Sequence, residues 1–390
     1  MHTGRIDIDL DAITANVRRL RRLTTARHLM SVVKADAYGH GLVPVARAAV
    51  AGGADWLGTA QPREALALRR AGLRERLLTW LLPPGAPIEA LLAADIDVSA
   101  SADWGIDDIA RAARRTGRRA RVHLKVDTGM GRAGAMPADL PALVHAARQA
   151  SEAGALEIVG LWSHLAAADD PGHPSLPAQQ SAFEQAEQVL TAAGLTPRLR
   201  HLANSAGLLE HPHLHYDLVR PGLAGYGLTP VPHLGGPDRY GLRPALTLSA
   251  PLLLVKRVAA GQGISYGHTY VTPADTTLGL VPLGYGDGIP RHASNTAQVW
   301  VNGRRAPVRG RVCMDQFVVD LGPDAKDAAG ARVLVFGPGD HGEPTAQDWA
   351  DAAGTISYEI VTRLSDRIPR HYQGGGADWA AADPVASGEP

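Results

Sequence analysis

The chain has 390 residues, enough for one large domain and a smaller one. Its 39 basic residues balance 39 acidic ones, so no charge surplus marks a nucleic-acid or anionic-membrane surface, and a single cysteine, Cys313, excludes an internal disulfide framework and a multi-cysteine metal site. The opening MHTGRIDIDLDAI lacks a basic stretch leading into an apolar one, and no apolar run is long enough to span a bilayer, so the expectation is a cytoplasmic protein with neither nucleic acid nor membrane as partner.

The first strand signal, RIDIDL at 5–10, precedes a repeating pattern and is expected to pair with the C-terminal part of the chain. Eight short apolar, β-branched runs follow: SVVKA at 31–35, WLGTA at 56–60, RLLTWL at 76–81, DIDVSAS at 95–101, ARVHLKVDTG at 120–129, LEIVGLWSHLA at 156–166, RLRHLANSAG at 198–207 and DLVRPGLAGYG at 217–227. Amphipathic helical stretches lie between them, as at 11–26 behind an Asp11 cap, 61–72, 103–117 and 178–194. Eight strands alternating with helices predict an N-terminal (β/α)8, TIM-like barrel over 11–240.

After residue 240 the helical period fades. Strands are expected near 245–258, 277–283, 297–301, 305–309, 315–320 and 332–336, with Asn302-Gly303 as a hairpin turn and a short helix near 358–364. This predicts a mostly-β domain over 241–373, joined by strand 1–10, and a disordered Gly/Ala/Pro-rich tail over 374–390.

Active residues of such barrels stand at the C-terminal ends of the strands. The polar residues just after the expected strands are Lys34, Lys125 with Asp127 and Arg132, His164, Asn204 with Ser205, and Arg220, so five strand ends converge on one mouth. Lysine is scarce here, four against thirty-five arginines, which enriches the remaining lysines for sites where a permanently charged arginine cannot serve. Burial at the end of SVV would lower the proton affinity of Lys34 and suit it to imine chemistry; position alone equally allows it to snorkel out and pair with Asp36. AYGHGL reads as a glycine-flanked turn entering a helix at about 42, and its N–H groups with the Tyr38 hydroxyl suit a phosphate. SAG at 205–207 and RPGLAGYG at 220–227 are further small-residue turns where barrels bind phosphate, and lysine plus phosphate cradle suggest pyridoxal phosphate. Taken singly, His164 reads as structural, Arg220 as a surface charge, and the tyrosines of SYGHTY and GYGDG as packing residues.

Taken together, VVKADAYGHG, HLKVDTGMGR, SHLA, NSAG, VRPGLAGYG, SYG, GYGDG, GRVCMDQ and ISYEI with SDRIPRHY closely resemble the alanine racemase family, fold-type III pyridoxal-phosphate enzymes. The resemblance runs in order from 31 to 372 and implies pyridoxal 5′-phosphate as cofactor, alanine as substrate, a homodimer with shared active sites, and a supply of D-alanine for peptidoglycan. By resemblance, Lys34 holds the cofactor as a Schiff base and is one catalytic base, and Tyr266, arriving from the other subunit, is the other. Arg220 would face the pyridine nitrogen, His164 would connect Arg220 to Tyr266, and Tyr38, Ser205, Gly222, Leu223 and Tyr358 would hold the phosphate with Asn204 close by. Arg132 and the Met314 N–H would bind the substrate carboxylate, and Lys125 would carry a carbamate that orients Arg132. Pocket width near Met314, Tyr285 and Tyr358 would decide between alanine and a broader range such as serine; a pyridoxal-binding carrier protein is the non-enzyme alternative, and no metal is implied.

Overall fold

The computed structural model describes residues 3–374, so the expected tail at 374–390 lies outside them except for Gly374. The described chain divides into two compact units, residues 13–37 with 42–242, and residues 3–12 with 38–41 and 243–374.

After β1 (Arg5–Asp9), the first unit holds β2 (His28–Val32), β3 (Trp56–Thr59), β4 (Arg76–Thr79), β5 (Asp97–Ala100), β6 (Ala120–Lys125), β7 (Leu156–Trp162), β8 (Leu199–His201) and β9 (Leu218–Val219). These eight strands form one parallel sheet in the order β8-β7-β6-β5-β4-β3-β2-β9, seven of them inside the expected runs and β2 starting three residues ahead of the run at 31–35, whose Lys34 and Ala35 lie beyond the strand. Their nearly continuous burial is what a parallel sheet covered by helices requires. No ladder joins β8 to β9. Single backbone bonds bridge that gap instead, from Asp217 N–H to the Arg200 carbonyl (3.1 Å) and from Arg220 N–H to the Ala203 carbonyl (2.9 Å).

Helices at Leu10–Leu23, Pro62–Arg70, Asp103–Thr116 and Ser175–Ala192 match the four expected stretches. The third stops where Gly117 takes the left-handed conformation at φ 65°. Met30, Trp56, Leu78, Leu199 and Leu218 form an apolar layer inside the barrel. His123, on β6, meets Trp56 of β3 edge-on and His201 of β8, so it too points into the interior. The facing position of β7 is Gly160, whose absent Cβ leaves the room that the His123 ring fills.

One segment departs from expectation. Lys34–Gly39 is a left-handed helical turn, with Ala35, Asp36, Ala37 and Tyr38 at φ 54°, 52°, 52° and 55° and Gly39 at 77°. Each non-glycine residue in that conformation costs about 1–2 kcal/mol, so the turn persists only where its surroundings over-determine it. Ala37 N–H donates to the Val33 carbonyl (2.9 Å), Ala35 N–H to Glu64 Oε1 (2.6 Å) and Leu42 N–H to Asp36 Oδ1 (2.8 Å). Asp36 therefore holds the next helix, Leu42–Ala51.

The second unit adds β10 (Leu246–Pro251), β11 (Leu254–Val258), β12 (Gly263–Ile264), β13 (Tyr270–Val271), β14 (Thr276–Val281), β15 (Gln298–Val301), β16 (Arg304–Arg309), β17 (Phe317–Gly322), β18 (Arg332–Phe336) and β19 (Arg370–Gln373). Nine strands make a sheet in the order β11-β14-β17-β16-β15-β18-β10-β1-β19, and β12 pairs with β13. Asn302 and Gly303 both have positive φ, 44° and 86°, as a two-residue hairpin turn needs. The run 245–258 is two strands rather than one, because Leu252 N–H bonds Ala331 while Leu253 N–H turns to Leu280 and the chain changes neighbours. The helix Ser357–Thr362 lies where a short one was expected. The helix Ala346–Ala353 was not anticipated, although its capping box is plain: Thr345 Oγ1 accepts from Asp348 N–H (3.2 Å) and Asp348 Oδ2 from Thr345 N–H (2.8 Å). No described helix is long and apolar enough to cross a membrane.

Candidate active site

Within the barrel unit the strand ends gather cations. Lys34 follows β2 and is half-buried, while Lys125 ends β6 and is buried. Burial, then the Arg132 guanidinium, pull the Lys34 ammonium below the usual lysine range; Glu64 opposes this and Arg220 adds to it. Burial, Arg132 and Arg220 pull Lys125 down to about 8, against the opposing field of Asp127. Both nearby carboxylates are already committed. Glu64 accepts from Ala35 N–H and Gln61 N–H (3.0 Å). Asp127 accepts from four backbone N–H groups, those of Gly129, Met130, Gly131 and Arg132, at 2.9–3.1 Å. Burial works against its charge, but those four bonds prevail and hold the carboxyl below its ordinary range. Asp127 thus organises the loop that carries Arg132, an exposed residue, and the mouth keeps a surplus of positive charge.

Arg220 is the most tightly held of these cations. Burial pulls its guanidinium down to about 9, which leaves it charged at neutral pH. Nη2 donates to the Ser163 carbonyl (2.8 Å) and the Leu202 carbonyl (3.1 Å) and faces His164 Nδ1 (3.4 Å); Nη1 donates to His201 Nδ1 (3.2 Å). Among the described residues no acceptor takes its Nε–H. Burial, then Arg220, push His164 down to about 2, so the imidazole is neutral, and with Nδ1 turned to a donor its proton sits on Nε2.

The turns after β8 and β9 interlock. Ser205 Oγ accepts from Gly222 N–H (3.0 Å) and Ala224 N–H (3.2 Å), so its hydroxyl proton points elsewhere, and no described residue accepts it. Asn204 caps the short helix Ser205–Glu210 through Gly207 N–H (2.9 Å). Gly222 precedes the buried turn Leu223–Tyr226.

The remaining expected residues lie in the β unit. Tyr38 is buried beside Tyr358, ring centroids 6.1 Å apart, and burial followed by Tyr358 raises its phenol well above the usual range. Arg370 Nε donates to the Gly39 carbonyl (2.8 Å) and steadies this segment. Tyr266, Met314 and Tyr285 are all exposed, and one backbone seam links them. Ser265 Oγ donates to the Arg311 carbonyl (2.6 Å) and touches Cys313 Sγ (3.3 Å). Tyr285 N–H then donates to the Cys313 carbonyl (2.9 Å) and Gly286 N–H to the Met314 carbonyl (2.8 Å).

Comparison with known proteins matches residues 8–230 to the alanine racemase N-terminal domain and residues 245–372 to the alanine racemase C-terminal domain. The chain belongs to the alanine racemase family. It is 57% identical over 365 residues to the alanine racemase of Frankia casuarinae, covering 94% of this chain and 95% of that relative. The alanine racemase of Streptomyces coelicolor is 57% identical over 374 residues, 95% of each chain. Among solved structures, the alanine racemase of the D-cycloserine-producing Streptomyces lavendulae superposes with a TM-score of 0.94 at 53% identity, covering 96% of this chain and 98% of that one.

In this member of the alanine racemase family the mouth contains residues that sequence reasoning passed over. Trp162 forms its floor: His201 stacks flat on the indole, 5.6 Å between centroids and 5° between planes. Lys125 Nζ lies 4.4 Å and the Arg220 guanidinium 5.1 Å from the indole centroid. Trp162 Nε1 donates to Ser99 Oγ (2.9 Å), which fixes the ring. The one available signal was position, since Trp162 ends β7 as Lys125 ends β6.

Proposed function

We propose that this chain interconverts L- and D-alanine with pyridoxal 5′-phosphate bound in the barrel mouth, as a cytoplasmic homodimer that supplies D-alanine for peptidoglycan. The observation that carries this reading is Lys34, a half-buried amine whose proton affinity is lowered by burial and by Arg132 in a mouth with excess positive charge. The donor set fits the cofactor: the unclaimed Ser205 proton and the cationic mouth suit a phosphate dianion, and the unclaimed Arg220 Nε–H suits a ring nitrogen.

Lys34 would hold the cofactor covalently, with Ser205, Tyr38, Tyr358 and the backbone of Gly222 and Leu223 on its phosphate and Asn204 ordering the turn. When bound, the cofactor supplies an electron sink for negative charge at the substrate Cα. Arg220, whose guanidinium is held by His201 and the Ser163 carbonyl, would put a fixed positive charge beside the ring nitrogen, which would disfavour protonation there and curb transamination. Racemisation needs a base on each face of Cα. The Lys34 amine would move the proton on one face and the partner subunit's Tyr266 on the other. Arg132 and the backbone N–H of the partner subunit's Met314 would bind the substrate carboxylate, with Tyr285 at the pocket wall. Lys125, pulled towards its neutral amine by burial and Arg132, would add to carbon dioxide with release of a proton, and the resulting carbamate would replace a like-charge contact with Arg132 by an attractive one.

Complementation tests the shared site. K34A and Y266F homodimers are expected to be inactive, and activity should return when the two are unfolded together and refolded, because a mixed dimer contains one intact pair of bases. No recovery from mixed dimers verified by mass would rule out the shared site.

A further inference from the structure

The barrel core contains a line of polar groups that the reaction, as proposed above, does not use. Asp97 Oδ2 faces His123 Nε2 (3.4 Å), His123 Nδ1 faces His201 Nε2 (2.9 Å), and His201 Nδ1 faces Arg220 Nη1 (3.2 Å). Asp97, His123 and His201 are each completely buried. Apolar cores exclude such groups unless every hydrogen-bonding site is matched.

We propose that Asp97, His123 and His201 are positioning residues for Arg220, forming a one-directional hydrogen-bond line through the barrel that fixes the guanidinium and hence the aim of its Nε–H.

The direction follows from the two ends. A guanidinium has only donors and an ionised carboxylate only acceptors. His201 Nδ1 must therefore accept from Arg220, which leaves its proton on Nε2. That proton is donated to His123 Nδ1, and the His123 proton, on Nε2, goes to Asp97. Reversing either imidazole, or protonating one fully, sets two donors face to face. The acidic end is anchored by Arg76 Nη2 (2.8 Å) and Arg121 Nε (2.6 Å), and Arg121 also grips Asp95 (2.6 Å). The rings are fixed sideways as well: His123 stands edge-on to Trp56 (5.6 Å, 81°) and His201 lies flat on Trp162. With Nη2 held by the Ser163 and Leu202 carbonyls and Nη1 by His201, the guanidinium plane is defined. Without the His201 acceptor only the contacts at Nη2 hold that plane, and among the described residues Nη1 has no other fixed partner. This inference rests on the reading of Arg220 as the partner of the cofactor ring, but the proton positions it requires do not.

The test uses the full-length holoenzyme with 15N-labelled histidine. Long-range 1H–15N spectra of the wild type should show His123 and His201 as neutral Nε2–H tautomers throughout neutral pH, and D97N should shift both towards mixed tautomers. H201L should lower kcat about tenfold, because a guanidinium no longer held at Nη1 aims its Nε–H less accurately, and small misplacements of a positioning group cost about that much or more. It should change KM less and raise the pyruvate formed per racemisation turnover. H201N, whose Oδ1 still offers Arg220 an acceptor, should recover most of both. An Nδ1–H tautomer or an imidazolium at either ring in the wild type would overturn the proposal. So would an H201L enzyme that melts earlier yet keeps the wild-type kcat and pyruvate ratio. A wild type that shows the expected tautomers but does not racemise alanine would instead count against the functional reading alone.

Discussion

Arg220 and His164 meet through Nη2 and Nδ1 at 3.4 Å, so the imidazole must present its lone pair to the guanidinium. Burial and the Arg220 charge then push His164 down to about 2, and the same two causes place His201 well below its usual value.

Acid sensitivity follows from these two groups. In the unfolded chain each histidine binds a proton near pH 6.5, whereas in the folded chain neither does until far lower. Their contribution to stability is therefore present above about pH 6.5 and is lost as pH falls from there towards the folded values. The melting temperature should drop between pH 7 and pH 5, and the drop should be smaller in H164N, which keeps an acceptor for Arg220 but cannot titrate. Scanning calorimetry across that range checks this, and equal drops in both proteins would contradict it.

Lys125 leads to a second prediction. An amine at about 8 retains a useful neutral fraction at neutral pH, and only the neutral amine can add carbon dioxide. Enzyme equilibrated with 13C-bicarbonate should show a carbamate carbon resonance that is absent from K125A. K125A should lose at least about tenfold in kcat/KM, equivalent to about 1.4 kcal/mol, and a small carboxylate such as formate should restore part of it.

Gly160 and Gly194 separate close packing from backbone conformation. A Cβ at Gly160 would run into the His123 ring, while one at Gly194 would meet open space but carry a φ of +78°. G160A should cost about 1–3 kcal/mol through overpacking, and G194A about 1 kcal/mol through its left-handed backbone. Urea unfolding measures both, and only G160A should also disturb the His123 ring resonances.

The left-handed turn predicts an inverted preference at Ala35, an exposed residue at φ 54°. In an ordinary helix, Ala→Gly costs about 1 kcal/mol. Here A35G should be neutral or slightly stabilising, because glycine adopts this conformation without strain, whereas A35V should lose about 1–2 kcal/mol. A conventional loss in A35G would show that the turn is not left-handed in solution.

The barrel was legible because its eight strands are short, buried, largely apolar runs that alternate with amphipathic helices, and the polar residues at five of the strand ends located Lys34, Lys125, His164, Ser205 and Arg220. Arg220 nevertheless read as a surface charge when taken singly, and only the closing of the β8–β9 gap buries it. The Asp97–His123–His201 line was not legible, because His123 and Asp97 stand opposite their partners only once β5, β6 and β8 have closed around the core. The turn at Lys34–Gly39 was hidden for a different reason: alanine, aspartate and tyrosine carry no signal for a left-handed helix, which tertiary bonds impose on them. The capping box at Thr345 shows the reverse case, a plain local signal that was passed over.

The central claim is that Lys34 carries the alanine-racemising chemistry, and its most direct test is the rate of D-alanine formation from L-alanine by K34A, with K256A as a control at an exposed lysine on β11. The account predicts no measurable racemisation by K34A and wild-type turnover by K256A. Racemisation by K34A at the wild-type rate would contradict it.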